Sequence, residues 1–235
     1  MISSAHNDKL KEVRKLATRR GREKSGHFAV EGEDLVEAGS SWTPVFRLVA
    51  ADSGLPGEEV EPALLAAVSQ LGSGTRTIGI YEQRWLEAPV GPLCLALWDV
   101  RDPGNVGTIL RSALAFGASC VALGPNCADP YGPKAVRASM GAIFGVPVAK
   151  FGRLEHLPGR TIALAARQGV PLAEAEARSG EELTVIVGGE RAGVPDEVLA
   201  AVDEVAHIPI ASESLNAAMA GTIALYEVAR RMARP

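Results

Sequence analysis

One short segment near the middle of the chain constrains the fold more than any other. Residues 93–98 form a continuous apolar run that leads into a Pro-Gly turn, and such a run predicts a buried strand. After the turn, apolar residues recur at the spacing of one helix face: Val106, Ile109, Leu110, Ala113 and Leu114. The chain therefore runs from strand through tight turn to helix, a unit from which α/β folds are built.

Two polar side chains lie where this turn meets the helix. Asn105 occupies the position expected of an N-cap, and Arg111 follows about one and a half helical turns later. Gly107 lies one turn before Arg111 and leaves space for its side chain. Because helix N-termini attract anions, the pair is a candidate anion site. The alternative is an ordinary cap followed by a solvated arginine.

Composition limits the class of protein. The chain has 235 residues, 47% of them apolar, and a net charge of −4, which predicts one large globular domain or two small ones. It has no apolar run of about 18 residues and no signal-peptide core, so we expect a cytoplasmic protein with no membrane partner. Three cysteines without paired spacing and four scattered histidines argue against a disulfide framework and a metal site.

The charge is concentrated at the N-terminus. Residues 1–24 carry eight Lys or Arg and three Asp or Glu, a local charge of +5 in an acidic chain. Lys and Arg displace counterions from a nucleic-acid backbone, so this basic arm indicates a phosphate-bearing partner. The alternative is a solvated helix, since Leu10, Val13 and Leu16 give the arm an apolar stripe.

Strands and helices alternate along the whole chain. We expect strands at 26–32, 44–51 and 76–81 with helices at 33–38 and 62–71, which form a small α/β unit after the basic helix. Further strands are expected at 93–98, 120–123, 147–151, 161–165, 183–187 and 204–209, and helices at 106–116, 134–144, 195–202 and 214–232. This pattern predicts a mostly parallel sheet with helices on both faces and ligands at the strand carboxyl ends. The Pro- and Gly-rich segment 88–92 divides the chain into domains 1–87 and 88–235.

Polar residues also follow two later strands. The run 185–187 is followed by glycines that permit close backbone approach and by one carboxylate: Gly188, Gly189, Glu190 and Gly193. After the strand at 204–209, Ser214 is placed to cap a helix that carries Asn216 in its first turn. Arg137, on the helix at 134–144, is typical of a surface charge when taken alone. Each pattern has an ordinary structural alternative: a strand-loop-helix turn, or a core helix with a good cap.

Taken together and in order, these segments closely resemble the SpoU-type RNA 2′-O-ribose methyltransferases of the SPOUT superfamily. Residues 102–107 with Arg111 match the first family motif, and Gly188, Glu190 and Gly193 match the second. The third is matched by residues 208–210 and 214–216. Residues 7–39 look like the N-terminal RNA-binding domain of the family, which is similar in fold to a small ribosomal protein.

The resemblance implies a deep trefoil knot in the C-terminal domain, a homodimer formed through that domain, and S-adenosylmethionine as cofactor without a metal. By resemblance, the catalytic residues are Asn105, Arg111, Arg137, Glu190, Ser214 and Asn216. The cofactor contacts are Leu123, Gly124, Gly188, Gly189, Glu190, Ile208, Ile210, Leu215 and Asn216. The RNA contacts on the basic arm are Lys9, Arg14, Arg19, Arg20 and Arg22.

The expected reaction is methylation of a ribose 2′-hydroxyl in structured RNA, ribosomal RNA first and transfer RNA as the alternative. A ribose hydroxyl is a poor nucleophile that must be aligned and relieved of its proton. Because arginine is effectively always protonated, we expect Arg111 to orient the hydroxyl or phosphate and stabilise the developing alkoxide. Three alternatives remain: a non-catalytic RNA-binding protein, a base methyltransferase of the same superfamily, and a Rossmann oxidoreductase, against which the missing G-x-G-x-x-G counts.

Overall fold

Two β-sheets organise the chain in the computed structural model, which describes residues 1–71, 74–178, 180–190 and 192–232. Arg191, within the second motif, lies outside the described residues. In the described part of the chain, no helix is long and apolar enough to cross a membrane.

The first sheet has four strands in the order β1-β4-β2-β3. Its elements are α1 Asp8–Leu16, α2 Arg19–Ser25, β1 His27–Glu31, α3 Glu33–Ala38, β2 Phe46–Ala50, β3 Glu58–Val60, α4 Pro62–Ala66 and β4 Thr77–Glu82. The basic arm forms two helices rather than one, because the Thr18 side chain accepts a hydrogen bond from the Gly21 amide (3.1 Å) and caps α2.

The second sheet has eight strands in the order β10-β12-β9-β11-β6-β7-β8-β5, and each described pairing in it is parallel. This confirms the mostly parallel sheet. Its elements are β5 Trp85–Leu86, β6 Leu93–Trp98, α5 Pro103–Ala115, β7 Cys120–Leu123, α6 Pro133–Ser139, β8 Val148–Lys150, β9 Arg160–Leu164, β10 Val170–Pro171, β11 Leu183–Gly188, α7 Asp196–Leu199, β12 Glu204–His207 and α8 Ala217–Met232.

Strand β6 is buried on both faces. Leu93, Leu95 and Leu97 lie in the cluster that includes residues of α5 and α8, whereas Cys94 and Ala96 lie in the cluster on the opposite face. The second cluster includes Val198 of α7. A strand covered on both faces reads as a continuous apolar run, as this one does.

Several boundaries differ from the sequence expectation. The helix expected at 134–144 ends at Ser139, because Met140 and Gly141 adopt left-handed backbone (φ 49° and 87°), and a short 3-10 turn, Ala142–Phe144, follows. The final helix begins at Ala217, not 214. Strands β3, β5 and β10 were not expected, because two or three residues carry no periodicity. Strand β5 precedes the expected domain boundary at residue 88 and yet pairs with β8 of the second sheet.

An aromatic cluster joins the two sheets. The ring of Phe28 from β1 lies 4.8 Å from that of Tyr131, and the ring of Tyr81 from β4 lies 4.9 Å from that of Phe144. The Trp42 indole N–H donates a hydrogen bond to the carbonyl of Phe144 (3.1 Å). Aromatic side chains bury large apolar areas in definite geometries, so this contact holds the N-terminal unit in a fixed position on the larger sheet.

Arg22 belongs to the same contact and not to the exposed surface. Its side chain is 6% exposed, its Nε donates a hydrogen bond to Asp129 Oδ2 (2.8 Å) and its Nη1 donates to the Leu16 carbonyl (2.7 Å). The expectation that Arg22 contacts RNA is therefore corrected: burial and an internal carboxylate leave its guanidinium no access to a phosphate.

Replacing Arg22 with Met should lower the free energy of unfolding by about 3–5 kcal/mol, because the Asp129 carboxylate would be left buried without its partner. Arg20→Met, a matched change at an exposed position, should alter it by about 0.5 kcal/mol or less. Urea denaturation followed by circular dichroism measures both. The double variant Arg22→Met/Asp129→Leu should recover most of the loss, and equal stabilities for Arg22→Met and wild type would contradict a structural role.

Candidate active site

A chain of three polar side chains joins segments that are far apart in the sequence. The Asn105 side-chain amide donates a hydrogen bond to Glu190 Oε1, and the Asn216 side-chain amide donates one to Asn105 Oδ1 (3.1 Å). We call this set the polar chain. The structure thus brings together one residue from each of the three sequence motifs, at the carboxyl ends of β6 and β11 and the start of α8.

The N-cap of α5 is Asp102, which corrects the expectation that Asn105 caps this helix. Asp102 Oδ1 accepts hydrogen bonds from the backbone amides of Gly104 (2.7 Å) and Asn105 (3.1 Å). A carboxylate at this position satisfies orphan amides of the helix and complements its dipole. The side chain of Asn105 is therefore not needed for capping and can bind Glu190 and Asn216.

Asn216, not Ser214, caps the final helix. Asn216 Oδ1 accepts hydrogen bonds from the backbone amides of Ala218 (2.9 Å) and Met219 (3.3 Å), while Ser214 is exposed in the preceding loop. Since this oxygen is engaged by the helix, the amide nitrogen of Asn216 must point the other way, toward Asn105. Capping therefore fixes the direction in which Asn216 donates.

Glycines allow the close approach on which this meeting depends. A Cβ atom on Gly189 would lie 2.2 Å from the Asp99 carbonyl oxygen, and one on Gly188 would lie 2.1 Å from the carbonyl carbon of Gly193. Both distances are far inside van der Waals contact. A larger residue at position 189 would push the end of β11 away from the loop after β6, and one at position 188 would push it away from Gly193. Glu190 would then lose its position beside Asn105.

A cavity of about 470 Å³ opens at the carboxyl ends of β9, β11 and β12, next to the polar chain. Seven residues expected at the site line it: Gly188, Gly189, Glu190, Ile208, Ile210, Ser214 and Leu215. Four residues that were not predicted from the sequence, at the end of β9 and just after it, also line the cavity: Leu164, Ala165, Ala166 and Gln168. The rule that ligands bind at the carboxyl ends of parallel strands could have found them, had the order of the strands been known.

Leu123 and Gly124 do not line this cavity. They line a second cavity of about 360 Å³, together with residues of the loop after β8 and of α2. The reason is the strand order, since β7 lies on the opposite side of β6 from β11. Their expected role as cofactor contacts is therefore corrected.

The two arginines expected at the site differ in their surroundings. Arg111 is exposed on α5, and its side chain makes no hydrogen bond or ion pair with the residues that the structure describes. Arg137 is exposed on α6, and its Nη2 lies 3.5 Å from the carbonyl oxygen of Gln70 in the N-terminal unit. The structure does not bring Arg137 to the polar chain.

The other cationic residues of the basic arm remain accessible to differing degrees. Lys9 is half-buried, pairs with Glu58 and lies over the Phe46 ring (5.5 Å), whereas Arg14, Arg19 and Arg20 are exposed. Over the described residues, no group of three or more His, Cys, Asp or Glu side chains is arranged to hold a metal ion.

Two family models match the chain. Residues 92–226 match the model of the SpoU rRNA Methylase family, and residues 7–79 match the MRM3-like substrate binding domain. The chain belongs to the SpoU rRNA methylase family. The three segments joined by the polar chain all lie within the family match, and the protein is an RNA methyltransferase of this family.

Relatives of the SpoU family protein match it over nearly its whole length. It is 29% identical over 250 residues to a 23S rRNA (guanosine(2553)-2′-O)-methyltransferase of Bacillus subtilis, covering 97% of this chain and 98% of the relative. It is 32% identical over 259 residues to an uncharacterized tRNA/rRNA methyltransferase of Synechocystis, covering 98% of this chain and 93% of the relative. The crystal structure of an AdoMet-bound rRNA methyltransferase from Sinorhizobium meliloti superposes with a TM-score of 0.86 at 28% identity, covering 100% of this chain and 98% of that one.

Asp102 gives a pH-dependent test of the first motif. The hydrogen bond from the Lys134 ammonium group (3.1 Å), together with those from the Asn105 and Gly104 amides, lowers the pKa of this carboxyl from its ordinary value of 3.8. Because the pKa is lower in the folded state, the carboxylate stabilises the fold above pH about 4, and this contribution is lost as the pH falls through the lowered value.

Asp102→Ala should therefore lower the free energy of unfolding by about 1 kcal/mol at pH 7, and its difference from wild type should shrink below pH about 4. Asp102→Asn keeps a capping oxygen and should lose less at pH 7. Urea denaturation at a series of pH values measures this, and a difference that does not change with pH would contradict the role of the charge.

Proposed function

We propose that the protein transfers a methyl group from S-adenosylmethionine to the ribose 2′-hydroxyl of a nucleotide in structured RNA, with ribosomal RNA as the substrate. The observation that carries the proposal is the polar chain Glu190–Asn105–Asn216 beside the cavity of about 470 Å³. The Bacillus subtilis relative, matched over nearly its full length, is named as a 2′-O-methyltransferase of 23S rRNA.

The cavity fits S-adenosylmethionine, which is the cofactor named in the Sinorhizobium meliloti structure. Its volume lies in the range of about 300–1,000 Å³ that is usual for small-molecule sites. Apolar side chains line it at Ile208, Ile210 and Leu215, and Gly188 and Gly189 expose backbone to it. When bound, the cofactor supplies an electrophilic methyl group on a sulfonium centre.

The polar chain orients its central amide before substrate arrives. Both ends of the Asn105 side-chain amide are engaged, since its nitrogen donates to the Glu190 carboxylate and its oxygen accepts from the Asn216 amide. Fixed polar groups cost little reorganisation when charge develops during a reaction. We assign to Asn105 the positioning of the reacting nucleotide and to Glu190 and Asn216 the positioning of Asn105. Ser214, on the cavity wall, completes the reacting pocket in this proposal.

Arg111 is the cation that we assign to the developing alkoxide. It lies on α5 about one and a half turns after Asn105, it is exposed, and no carboxylate of the described residues neutralises it. A guanidinium stays protonated at neutral pH, so Arg111 orients the hydroxyl or the adjoining phosphate and stabilises negative charge on the oxygen as its proton leaves.

We further propose that the protein is a homodimer through the C-terminal domain. Four large apolar side chains on α5 and α8 are exposed in the single chain: Leu114, Met219, Ile223 and Tyr226. Those on α8 recur at the spacing of one helix face, and contiguous exposed apolar surface marks an interaction site. Met219 lies one turn after Asn216, so this face adjoins the proposed active site.

The remaining expectations stand as parts of the same proposal. The trefoil knot would account for the way in which residues after β9, β11 and β12 surround one cavity. Residues 1–87 would form the RNA-binding domain, with Lys9, Arg14, Arg19 and Arg20 as phosphate contacts. The reaction would take place in the cytoplasm, where ribosomal RNA is found.

Arg111→Ala should reduce methyl transfer by about 100-fold or more, since removal of one group that stabilises a developing oxyanion commonly costs this much. Binding of S-adenosylmethionine, followed by calorimetry, should be unchanged. Transfer is measured with radiolabelled cofactor on separated ribosomal and transfer RNA, followed by nucleoside analysis. Label in a 2′-O-methylnucleoside supports the proposal, label on a base contradicts it, and near-normal turnover by Arg111→Ala would remove the role given to Arg111.

Tyr226→Glu should convert the homodimer into a monomer, because a charge would be buried in an apolar interface. Multi-angle light scattering after size-exclusion chromatography measures the mass. Glu197→Gln, an exposed change on α7, is the control and should leave the mass unchanged. A wild-type mass equal to that of one chain, 24.6 kDa, would contradict the dimer.

A further inference from the structure

The second cavity, of about 360 Å³, lies at the same edge of the larger sheet as the proposed active site. It is formed by the loops that follow β7 and β8 and by residues of α2 and the β4–β5 connection. It therefore lies where the N-terminal unit meets the carboxyl ends of parallel strands. Neither the polar chain nor the cofactor cavity uses it.

The walls of this cavity combine aromatic rings with cations. Trp85 and Phe151 supply apolar surface, and Arg19 and Lys150 supply positive charge. The Lys150 ammonium group lies 4.5 Å from the centre of the Trp85 ring, so one cation is already held against the aromatic wall. This is the pairing of groups with which proteins bind a single nucleotide, an aromatic face for the base and cations for the phosphate.

The acidic residues around the cavity are already paired. Glu23 accepts a hydrogen bond from Arg19 Nε (2.9 Å), and Asp129 is bound by the buried Arg22. Lys150 is exposed and forms no ion pair with the described residues, so it leaves the cavity with an uncompensated positive charge. In a chain whose net charge is −4, a positive cavity favours an anionic ligand.

The loop after β7 connects this cavity to the first motif. The Asp99 amide donates a hydrogen bond to the Pro125 carbonyl (3.2 Å), and the Ala128 amide donates one to the Val100 carbonyl (2.9 Å). Residues 99 and 100 lead directly into the cap at Asp102. Neighbouring strands lie about 4.8 Å apart, so the ends of β7 and β8 lie about one and two strand spacings from the end of β6.

We propose that this second cavity binds a nucleotide of the substrate RNA close to the one that is methylated. The base would lie against Trp85 and Phe151 while Arg19 and Lys150 bind its phosphate. Asn126, exposed at the rim with a left-handed backbone (φ 58°), presents a side-chain amide that can pair with a base edge. The inference rests on the proposed function, because it takes RNA to be the substrate.

The test uses a fluorescein-labelled single-stranded RNA of random sequence, about 12 nucleotides long, and fluorescence anisotropy at a series of salt concentrations. Affinity for RNA falls as salt rises, and each phosphate contact that is lost should reduce the steepness of log affinity against log salt by about 1. Lys150→Gln should therefore weaken binding and lower the slope by about 1. Lys150 is the decisive position because it lies on β8 and not on the basic arm.

Two matched controls remove a charge elsewhere. Arg178→Gln and Arg230→Gln change exposed arginines that pair with carboxylates and do not line the cavity. Both should bind the RNA as the wild type does. Arg19→Gln should weaken RNA binding as Lys150→Gln does. If Arg19→Gln weakens binding and Lys150→Gln does not, RNA binds only the basic arm, and the proposal that the cavity is a binding site is wrong.

The aromatic wall is tested separately. Trp85→Leu should weaken RNA binding by about fivefold or more with an unchanged salt slope, since stacking depends little on salt. Trp85→Phe keeps an aromatic ring and should recover most of the affinity. If Trp85 served only to pack against Tyr131, neither variant would change RNA binding by a folded protein. Equal binding by Trp85→Leu and the wild type would overturn the stacking role.

Measuring methyl transfer to total ribosomal RNA distinguishes failure of the second cavity as a binding site from failure of the proposed function. If the wild type transfers methyl groups and Lys150→Gln raises the RNA concentration needed for half-maximal rate without changing cofactor binding, the cavity is supported. If the wild type transfers and Lys150→Gln behaves identically in binding and rate, the inference fails while the proposed function stands. If the wild type neither binds nor modifies RNA, both fail.

Discussion

The backbone contact between Gly189 and Asp99 underlies the arrangement of the site. It places the end of β11 directly against the loop after β6, so close that a Cβ atom on Gly189 would lie 2.2 Å from a carbonyl oxygen. The two strands are neighbours in the sheet with the register Gly188 to Trp98. Residues separated by 85 positions in sequence, Asn105 and Glu190, therefore meet through their side chains. The pairing of β6 with β11 aligns the two strand ends, and the absence of a side chain at Gly189 lets them approach closely.

Helix caps then set the direction of the polar groups. Asp102 binds the first amides of α5 and leaves the Asn105 side chain available, while the oxygen of Asn216 binds the first amides of α8 and turns its nitrogen toward Asn105. A side-chain amide has one accepting and one donating end, so fixing one end fixes the other. The orientation at the centre of the site is thus a consequence of how two helices begin.

Much of the fold could be predicted from the sequence, and the reasons for the failures are physical. Strand β6 could be predicted because it is a continuous apolar run closed by a turn, and helix α5 because it has the helical period, but β5 and β10 have two residues each and show neither pattern. The meeting of Asn105, Glu190 and Asn216 was anticipated only through family motifs. Leu123 was misplaced because strand order decides which loops share a cavity, and no local pattern records that order. Arg22 was misread because the carboxylate that binds it lies 107 positions away.

The buried pair of Arg22 and Asp129, with the aromatic rings packed around Phe28, fixes the N-terminal unit on the larger sheet. These contacts hold the N-terminal unit and the larger sheet in one arrangement. The exposed arginines of the first helices and the polar chain therefore have one relative placement in the structure, and under the proposed function an RNA would have to meet both at that placement. Under the proposed function, the folded dimensions of an RNA would then help to decide whether its backbone and its reacting ribose reach both places.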